Sequence, residues 1–253
     1  MPISVDPMSW SKKRHGLLLL AILALASTVI ILALSPLSLS SSVDDSIGML
    51  NALLTDSASK PYFLISVALL CVIPFCCRLS HRQRVELWLC FALLLALSFV
   101  AKSTIKHLTA EPRPYTYELQ SLHLIPSPQA YYALPETQKQ QVINAAQGLV
   151  SDWRLAHWRD ATNYALPSGH TIFVAISVLF WGGFLLLRRH YVATTLIIGW
   201  ATGVAVSRFW LGDHSLNDIL SSMVCAALLY LLVPLPQAYF NRHSLIVDIK
   251  KAR

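Results

Sequence analysis

The stretch 207–218 joins two apolar segments and carries Arg208, Asp213, His214 and Asp218. Ionisable groups at the edge of a bilayer are costly and usually serve a function. If a helix starts just after His214, Asp218 lies one turn further on and can hold one ring nitrogen, which leaves the other as a base or nucleophile. Arg208 offers a planar fork of donors that suits phosphate. The alternative is a snorkelling arginine beside a histidine–aspartate pair that only closes a loop; Asp213 is expected to be solvated.

A second group of cations follows the third apolar segment. Lys106 lies near its end, and Arg113 lies between Pro112 and Pro114, which stiffen the backbone. Two cations on a stiff segment can clamp an oxyanion. Snorkelling explains Lys106 equally well, but it does not explain an arginine fixed between two prolines.

A third group, Pro167-Ser168-Gly169-His170, directly precedes the fourth apolar segment. A helix N-terminus has free backbone N–H groups and a positive dipole end, which suit an anion. Gly169 permits close approach of a ligand to the backbone, Ser168 adds a hydroxyl, and His170 can donate a proton. The alternative is an ordinary serine cap followed by glycine.

The composition indicates the setting of these residues. Of 253 residues, 55% are hydrophobic and 13% are charged, which fits an all-α integral membrane protein rather than a soluble domain. The net charge of +7 does not indicate a nucleic-acid partner, because the basic residues fall in short clusters between apolar segments. All five cysteines lie in apolar segments, where core packing is the favoured explanation.

The apolar segments predict a single domain, residues 1–253, with six transmembrane helices and a long extracytoplasmic loop. The loop, 102–167, is expected to contain short helices, with one at 135–158 that either packs on the membrane part or acts as a lid. Its apolar stripe would comprise Val142, Ala146, Leu149 and Trp153. The predicted spans are 17–34 (an uncleaved anchor rather than a signal peptide), 62–77, 85–100, 171–187, 191–206 and 216–233; residues 35–60 are predicted to form a loop.

Six spans place every basic cluster on one side of the bilayer: Lys12-Lys13-Arg14, Arg78/Arg82/Arg84, Arg188-Arg189 and the basic tail. The positive-inside rule makes that side cytoplasmic. The three functional stretches then share the outer face, where no cluster at metal-ligand spacing accompanies them. This pattern predicts phosphoryl transfer without metal or cofactor. His214 would attack phosphorus, His170 would protonate the departing oxygen, and the cations would stabilise the equatorial oxygens.

The three motifs together resemble the signature of the type 2 phosphatidic acid phosphatase superfamily, which includes lipid phosphatases and vanadium-dependent haloperoxidases. They are Lys106-x6-Arg113-Pro114, Pro167-Ser168-Gly169-His170 and Ser207-Arg208-x5-His214-x3-Asp218. The resemblance implies that Lys106, Arg113, Ser168, Gly169 and Arg208 bind phosphate. It also implies that His170 is the general acid, that His214 forms a phosphohistidine and that Asp218 orients it.

Within this superfamily the chain most resembles the bacterial phosphatidylglycerophosphatase B group. The resemblance rests on Glu111-Pro-Arg-Pro114, on Trp153-Arg-Leu-Ala-His-Trp158 and on Pro-Ser-Gly-His-Thr at 167–171. It implies a bacterial inner-membrane enzyme with a periplasmic site that dephosphorylates phosphatidylglycerophosphate, undecaprenyl diphosphate or phosphatidate. The residues at 212–217 differ from those that are typical of the group, which leaves the substrate preference open. A phosphotransferase with the same residues and a membrane transporter are the alternatives.

Overall fold

The computed structural model describes residues 7–240, and every regular element in that range is helical. The helices are α1 (Pro7–Leu34), α2 (Asp45–Asp56), α3 (Phe63–Cys76), α4 (His81–Thr109), α5 (Pro114–Ser121), α6 (Pro128–Tyr132), α7 (Glu136–Ala145), α8 (Asp152–Asp160), α9 (Gly169–Ser177), α10 (Gly183–Leu187), α11 (Tyr191–Trp210), α12 (Leu216–Leu232) and α13 (Gln237–Phe240). A π-helical turn, Val178–Gly182, joins α9 and α10. The basic tail used in the orientation argument lies outside the described residues.

Within residues 7–240, four helical segments are long and apolar enough to cross a bilayer: Lys13–Leu34, His81–Thr109, Gly169–Leu187 and Tyr191–Trp210. Helices α3 and α12 are apolar but shorter than the roughly 20 residues that a span needs. The all-helical membrane fold is therefore confirmed, whereas the number of six spans remains a prediction.

The predicted ends of two spans are wrong at the side where the chemistry was expected. Helix α4 continues to Thr109, so Lys106 lies in its last turn and not in a loop. Helix α11 continues to Trp210, so Ser207 and Arg208 are helical as well. Each of these spans was predicted to end just before an ionisable residue, because a charge is costly in lipid. Arg208, however, is only 3% exposed and is enclosed by protein, so the helix can continue past it.

Two loop predictions also need correction. Residues 35–60 contain α2, whose first turn is capped by the Asp44 side chain, which accepts from the Ser46 N–H. The predicted helix 135–158 is two helices, α7 and α8, because Gly148 between them has a φ of +81°. The buried side chains of residues 135–158 include Ile143 and Val150, whereas Leu149 of the predicted apolar stripe is 47% exposed.

The interior comprises two hydrophobic clusters. The larger surrounds the segment from α9 to α10, in which the side chains from Thr171 to Leu185 are all buried. The smaller is formed by Leu39 together with residues of the range 110–167, here called the cap, and includes Tyr115, Tyr131 and Trp158. The Trp158 indole donates to the Leu211 carbonyl over 2.6 Å, and the cap thereby fixes the turn between α11 and α12.

Candidate active site

A polar cavity of about 200 Å³ is enclosed by the cap and by four helix ends: the C-terminal ends of α2, α4 and α11 and the N-terminal end of α9. The C-terminal ends of α4 and α11 contribute Lys106 and Arg208, and the N-terminal end of α9 contributes Gly169 and His170. Six of the eight residues predicted for the site line this cavity: Lys106, Arg113, Gly169, His170, Arg208 and His214. The other two, Ser168 and Asp218, lie behind its wall.

Arg113 precedes the first residue of α5 and is held by the cap. Its Nε donates to the Asn163 carbonyl and its Nη2 to Asn163 Oδ1, both over 2.7 Å. Its backbone N–H donates to the Tyr132 hydroxyl over 3.0 Å. Asn163 was missed in the sequence because it matters only through this contact, 50 residues away in the chain.

Arg208 is held by Asp213, which the sequence argument had expected to be solvated. Asp213 is instead fully buried, and its Oδ2 lies 2.6 Å from Arg208 Nη2. Its Oδ1 lies 3.5 Å from Arg113 Nη1, so one carboxylate stands between two guanidinium groups. Arg208 Nη1 also donates to Thr55 Oγ1 over 3.2 Å. The expectation for Asp213 was wrong because a buried cation pair can retain a carboxylate away from solvent.

Lys106 donates to carbonyl groups just before α9. Its Nζ contacts the Tyr164 carbonyl and lies 3.3 Å from Asn163 Oδ1. The ammonium group therefore shares Asn163 with Arg113, which places two cations on one wall of the cavity.

His214 is 2% exposed and presents Nε2 to the cavity. This nitrogen lies 3.3 Å from Arg113 Nη1. Because a guanidinium group can only donate, Nε2 must be the unprotonated nitrogen of a neutral ring. Burial lowers the pKa of His214 well below its usual value, and the positive charges of Arg113 and Arg208 lower it further. The ring is thus held in the neutral form, whose Nε2 lone pair can act as a nucleophile once the Arg113 hydrogen bond gives way.

Asp218 faces His214 without hydrogen-bonding to it. Its Oδ2 lies 3.9 Å from Nδ1, and the same oxygen accepts from the Ser215 N–H over 2.7 Å. Ser215 Oγ in turn accepts from the Asp218 N–H, so the two residues form the capping box of α12. The carboxylate is near enough to orient the imidazole after a small movement.

The Ser168 hydroxyl is buried and takes part in hydrogen bonds within the protein. Its Oγ accepts from the N–H and the hydroxyl of Thr171, and its own N–H donates to Ser222 Oγ over 2.8 Å. At Gly169, a Cβ atom would come within 2.8 Å of the Lys102 side chain. Ser168 thus fixes the start of α9, and Gly169 leaves room for Lys102 on the cavity wall.

The cavity has further lining residues that the sequence did not assign to the site. The additional lining residues include Thr55, Asp56, Ser59, Lys60, Lys102, His157 and Asp160. Burial raises the pKa of Asp56 and lowers that of His157. Both shifts favour neutral side chains there.

Two buried polar atoms of residues that line the cavity have no hydrogen-bond partner among the described residues: Arg208 Nε and His170 Nε2. Unpaired polar atoms are rare inside proteins, and their grouping here indicates a place for a polar ligand. Within residues 7–240, no group of three or more His, Cys, Asp or Glu side chains could hold a metal ion.

The fold and the cavity define a helical membrane protein with a polar cavity that several basic side chains line. A family model described as the PAP2 superfamily matches residues 86–242, and the chain therefore belongs to that superfamily. This match confirms the resemblance inferred from the three motifs.

The chain is also similar to characterised bacterial proteins. It is 30% identical over 169 residues to phosphatidylglycerophosphatase B of Escherichia coli (strain K12), which covers 65% of this chain and 66% of that relative. It is 30% identical over 190 residues to phosphatidylglycerophosphatase B of Haemophilus influenzae, which covers 70% of this chain and 76% of that relative. The chain thus spans just under two thirds of the Escherichia coli protein.

Proposed function

We propose that the protein is a membrane-embedded lipid phosphate phosphatase that acts through a phosphohistidine and needs no metal. The observation that carries the proposal is the convergence of His214, His170, Arg113 and Arg208 on one cavity. Two histidines can serve as nucleophile and acid, and fixed guanidinium groups suit the charge of a transferring phosphoryl group. The PAP2 family membership and the similarity to phosphatidylglycerophosphatase B support the same activity.

The reaction proceeds in two steps. His214 Nε2 forms a bond to phosphorus while the bond to the lipid oxygen breaks, and His170 donates its proton to that oxygen. Arg113, Arg208 and Lys106 stabilise the equatorial oxygens throughout. Water then attacks the phosphohistidine, its proton passes to His170, and inorganic phosphate is released.

The two residues behind the cavity wall act on this reaction through others. Asp218 moves the short distance to Nδ1 and stabilises the imidazolium that develops when Nε2 bonds to phosphorus. Ser168 holds the N-terminus of α9, whose free N–H groups face the phosphoryl oxygens together with Gly169.

An apolar groove beside the cavity supports a lipid substrate. It has a volume of about 360 Å³ and is lined by Phe63, Leu95, Phe99 and Phe173 from α3, α4 and α9. Both spaces share several residues: Ser59, Lys60, Lys102, Gly169 and His170. A substrate can therefore place its phosphate headgroup in the cavity while its hydrocarbon chain lies along the apolar groove. Phosphatidylglycerophosphate, undecaprenyl diphosphate and phosphatidate all combine these two parts.

The distribution of charge supports a periplasmic site in the bacterial inner membrane. Arg82 and Arg84 lie in the first turn of α4, whereas Lys106 lies in its last. Arg188 and Arg189 likewise follow α10, at the far end of the segment that begins at Gly169. These four arginines are thus at helix ends opposite to the cavity, and the positive-inside rule assigns those ends to the cytoplasm.

The test is phosphate release from a panel of lipid phosphates by the purified protein in detergent, with EDTA present. We expect turnover to persist in EDTA and His214→Ala to lower kcat by about 10,000-fold or more. His81→Ala is the matched control, since His81 is exposed at the start of α4. Loss of turnover in EDTA would contradict the metal-free mechanism, and an active His214→Ala variant would contradict the nucleophile. Acid-labile radiolabel on the protein during turnover would identify the phosphohistidine.

A further inference from the structure

Asp213 is an anion built into a site for anions. It is fully buried, and its Oδ2 lies 2.6 Å from Arg208 Nη2. Its Oδ1 lies 3.5 Å from Arg113 Nη1, and its backbone carbonyl accepts from the same nitrogen over 3.1 Å. Neither the three motifs nor the two-step reaction assigns a role to this carboxylate.

The turn that carries Asp213 is rigid. The N–H groups of Asp213 and His214 both donate to the Arg208 carbonyl, over 3.1 and 3.2 Å. Gly212 has a φ of +76°, and Leu39 packs so closely on it that an added Cβ would lie 2.6 Å from the leucine. The Asp213 carboxylate and the His214 imidazole therefore keep a fixed relation to Arg208.

The carboxylate uses only part of the donor capacity around it. Arg208 Nη2 forms an ion pair with Asp213, and Nη1 donates a hydrogen bond to Thr55 Oγ1, while Nε has no hydrogen-bond partner among the described residues. A phosphoryl group can bind the remaining donors while Asp213 stays in place. The bound anion must then share both arginines with a resident negative charge, which weakens its attraction to them.

We propose that Asp213 is a positioning residue that aligns Arg113 and Arg208 and, as a resident counter-charge, keeps the affinity of the cavity for free phosphate low. Five basic side chains line a cavity that must release a multiply charged product: Lys60, Lys102, Lys106, Arg113 and Arg208. Two other carboxyl groups, Asp56 and Asp160, also line it, but Asp213 is the one that pairs with both arginines. Asp213 thus favours release of phosphate over its retention. The identification of phosphate as the product rests on the proposed function.

The test is the binding of inorganic phosphate to the full-length protein in detergent, read as thermal stabilisation against phosphate concentration. We expect Asp213→Asn to bind phosphate about tenfold or more tightly than the unchanged protein, because the substitution removes the charge and keeps the shape. Asp213→Glu, which keeps the charge, should bind phosphate within about threefold of the unchanged protein. The matched control is Asp152→Asn, an exposed carboxylate in the first turn of α8 and outside the cavity, which should leave binding unaltered.

A purely structural role predicts the opposite sign. Displaced arginines would bind anions less well, so the inhibition constant of phosphate and the KM for lipid would both rise, whereas a counter-charge role predicts that both fall. Equal or weaker phosphate binding by Asp213→Asn, or no binding by either protein, overturns the proposal.

If Asp213→Asn does not fold, Asp213→Ser is measured in its place. Failure of both neutral variants to fold, with Asp213→Glu intact, also overturns the proposal in favour of a structural role. Phosphate binding requires no turnover. A protein that binds phosphate but hydrolyses no lipid phosphate would therefore refute the proposed function and leave the comparison of variants valid.

Discussion

Arg154 and Arg208 are two buried arginines on either side of the same turn, with exposures of 1% and 3%. Arg154, in the cap, donates only to backbone carbonyls. Its Nε donates to Trp210 over 3.2 Å, its Nη1 donates to Leu39 over 2.6 Å, and its guanidinium carbon lies 4.6 Å from the Trp210 ring centroid. These contacts join the cap to the end of α11 and to the segment before α2.

Arg208 is buried to the same degree but has a different environment. It lines the cavity, pairs with the charged Asp213, and has an Nε without a hydrogen-bond partner among the described residues. Burial is therefore not what distinguishes a ligand-binding arginine from a structural one. The distinction lies in the remaining donors and in whether they face an open space.

For these two arginines, the largest expected effect is on catalysis at Arg208. Arg208→Lys keeps the charge but replaces the fork with a point charge, so it should lower kcat/KM for lipid phosphate by about 100- to 1,000-fold. The measurement is initial-rate phosphate release by purified variants at matched protein concentration.

The same substitution at Arg154 is the control. Arg154→Lys should change kcat/KM by no more than about threefold, since Arg154 contributes no donor to the cavity. Equal losses in the two variants would remove the distinction between these arginines.

For the stability of the fold, Arg154 should be the important arginine of the two. Arg154→Met removes the donors to buried carbonyls of Leu39 and Trp210, which should lower the free energy of unfolding by about 2–4 kcal/mol. Thermal unfolding in detergent should show a clear fall in Tm, with kcat retained by the protein that stays folded. An Arg154→Met protein that melts at the temperature of the unchanged protein would show that the cap is held by other contacts.

The sequence could predict which residues meet but not how they are held. The motif spacing identified six residues of the cavity, because each motif lies at the end of an apolar segment on the same predicted face. Thr55 and Asn163, which fix Arg208 and Arg113, were missed because neither belongs to a local pattern. These two contacts join residues that are 50 and 153 positions apart in the chain, and a single sequence does not reveal such contacts.

The sequence also underestimated local competition for polar side chains. Ser168 and Asp218 were assigned to phosphate and to His214, yet Ser168 is the N-cap of α9 and Asp218 completes the capping box of α12 with Ser215. A capping serine or aspartate satisfies backbone N–H groups that would otherwise be unpaired, and it does so whatever else the motif achieves. The direction of the Asp213 side chain, by contrast, depended on two arginines meeting in space.

The smallest expected effect concerns pH and isolates the electrostatic part of the comparison. Burial, Arg113 and Arg208 hold the pKa of His214 below its usual value, so the neutral nucleophile should persist as the pH falls through the usual histidine range. Arg113→Gln removes one of these charges, which should raise the His214 pKa and move the acidic limb of the kcat/KM profile to higher pH. Arg159→Gln, at a half-buried cap arginine that donates to Asn144 and does not line the cavity, should leave that limb in place. A profile that does not move in Arg113→Gln would show that the acidic limb belongs to another group, and that Arg113 acts on the substrate and not on the nucleophile.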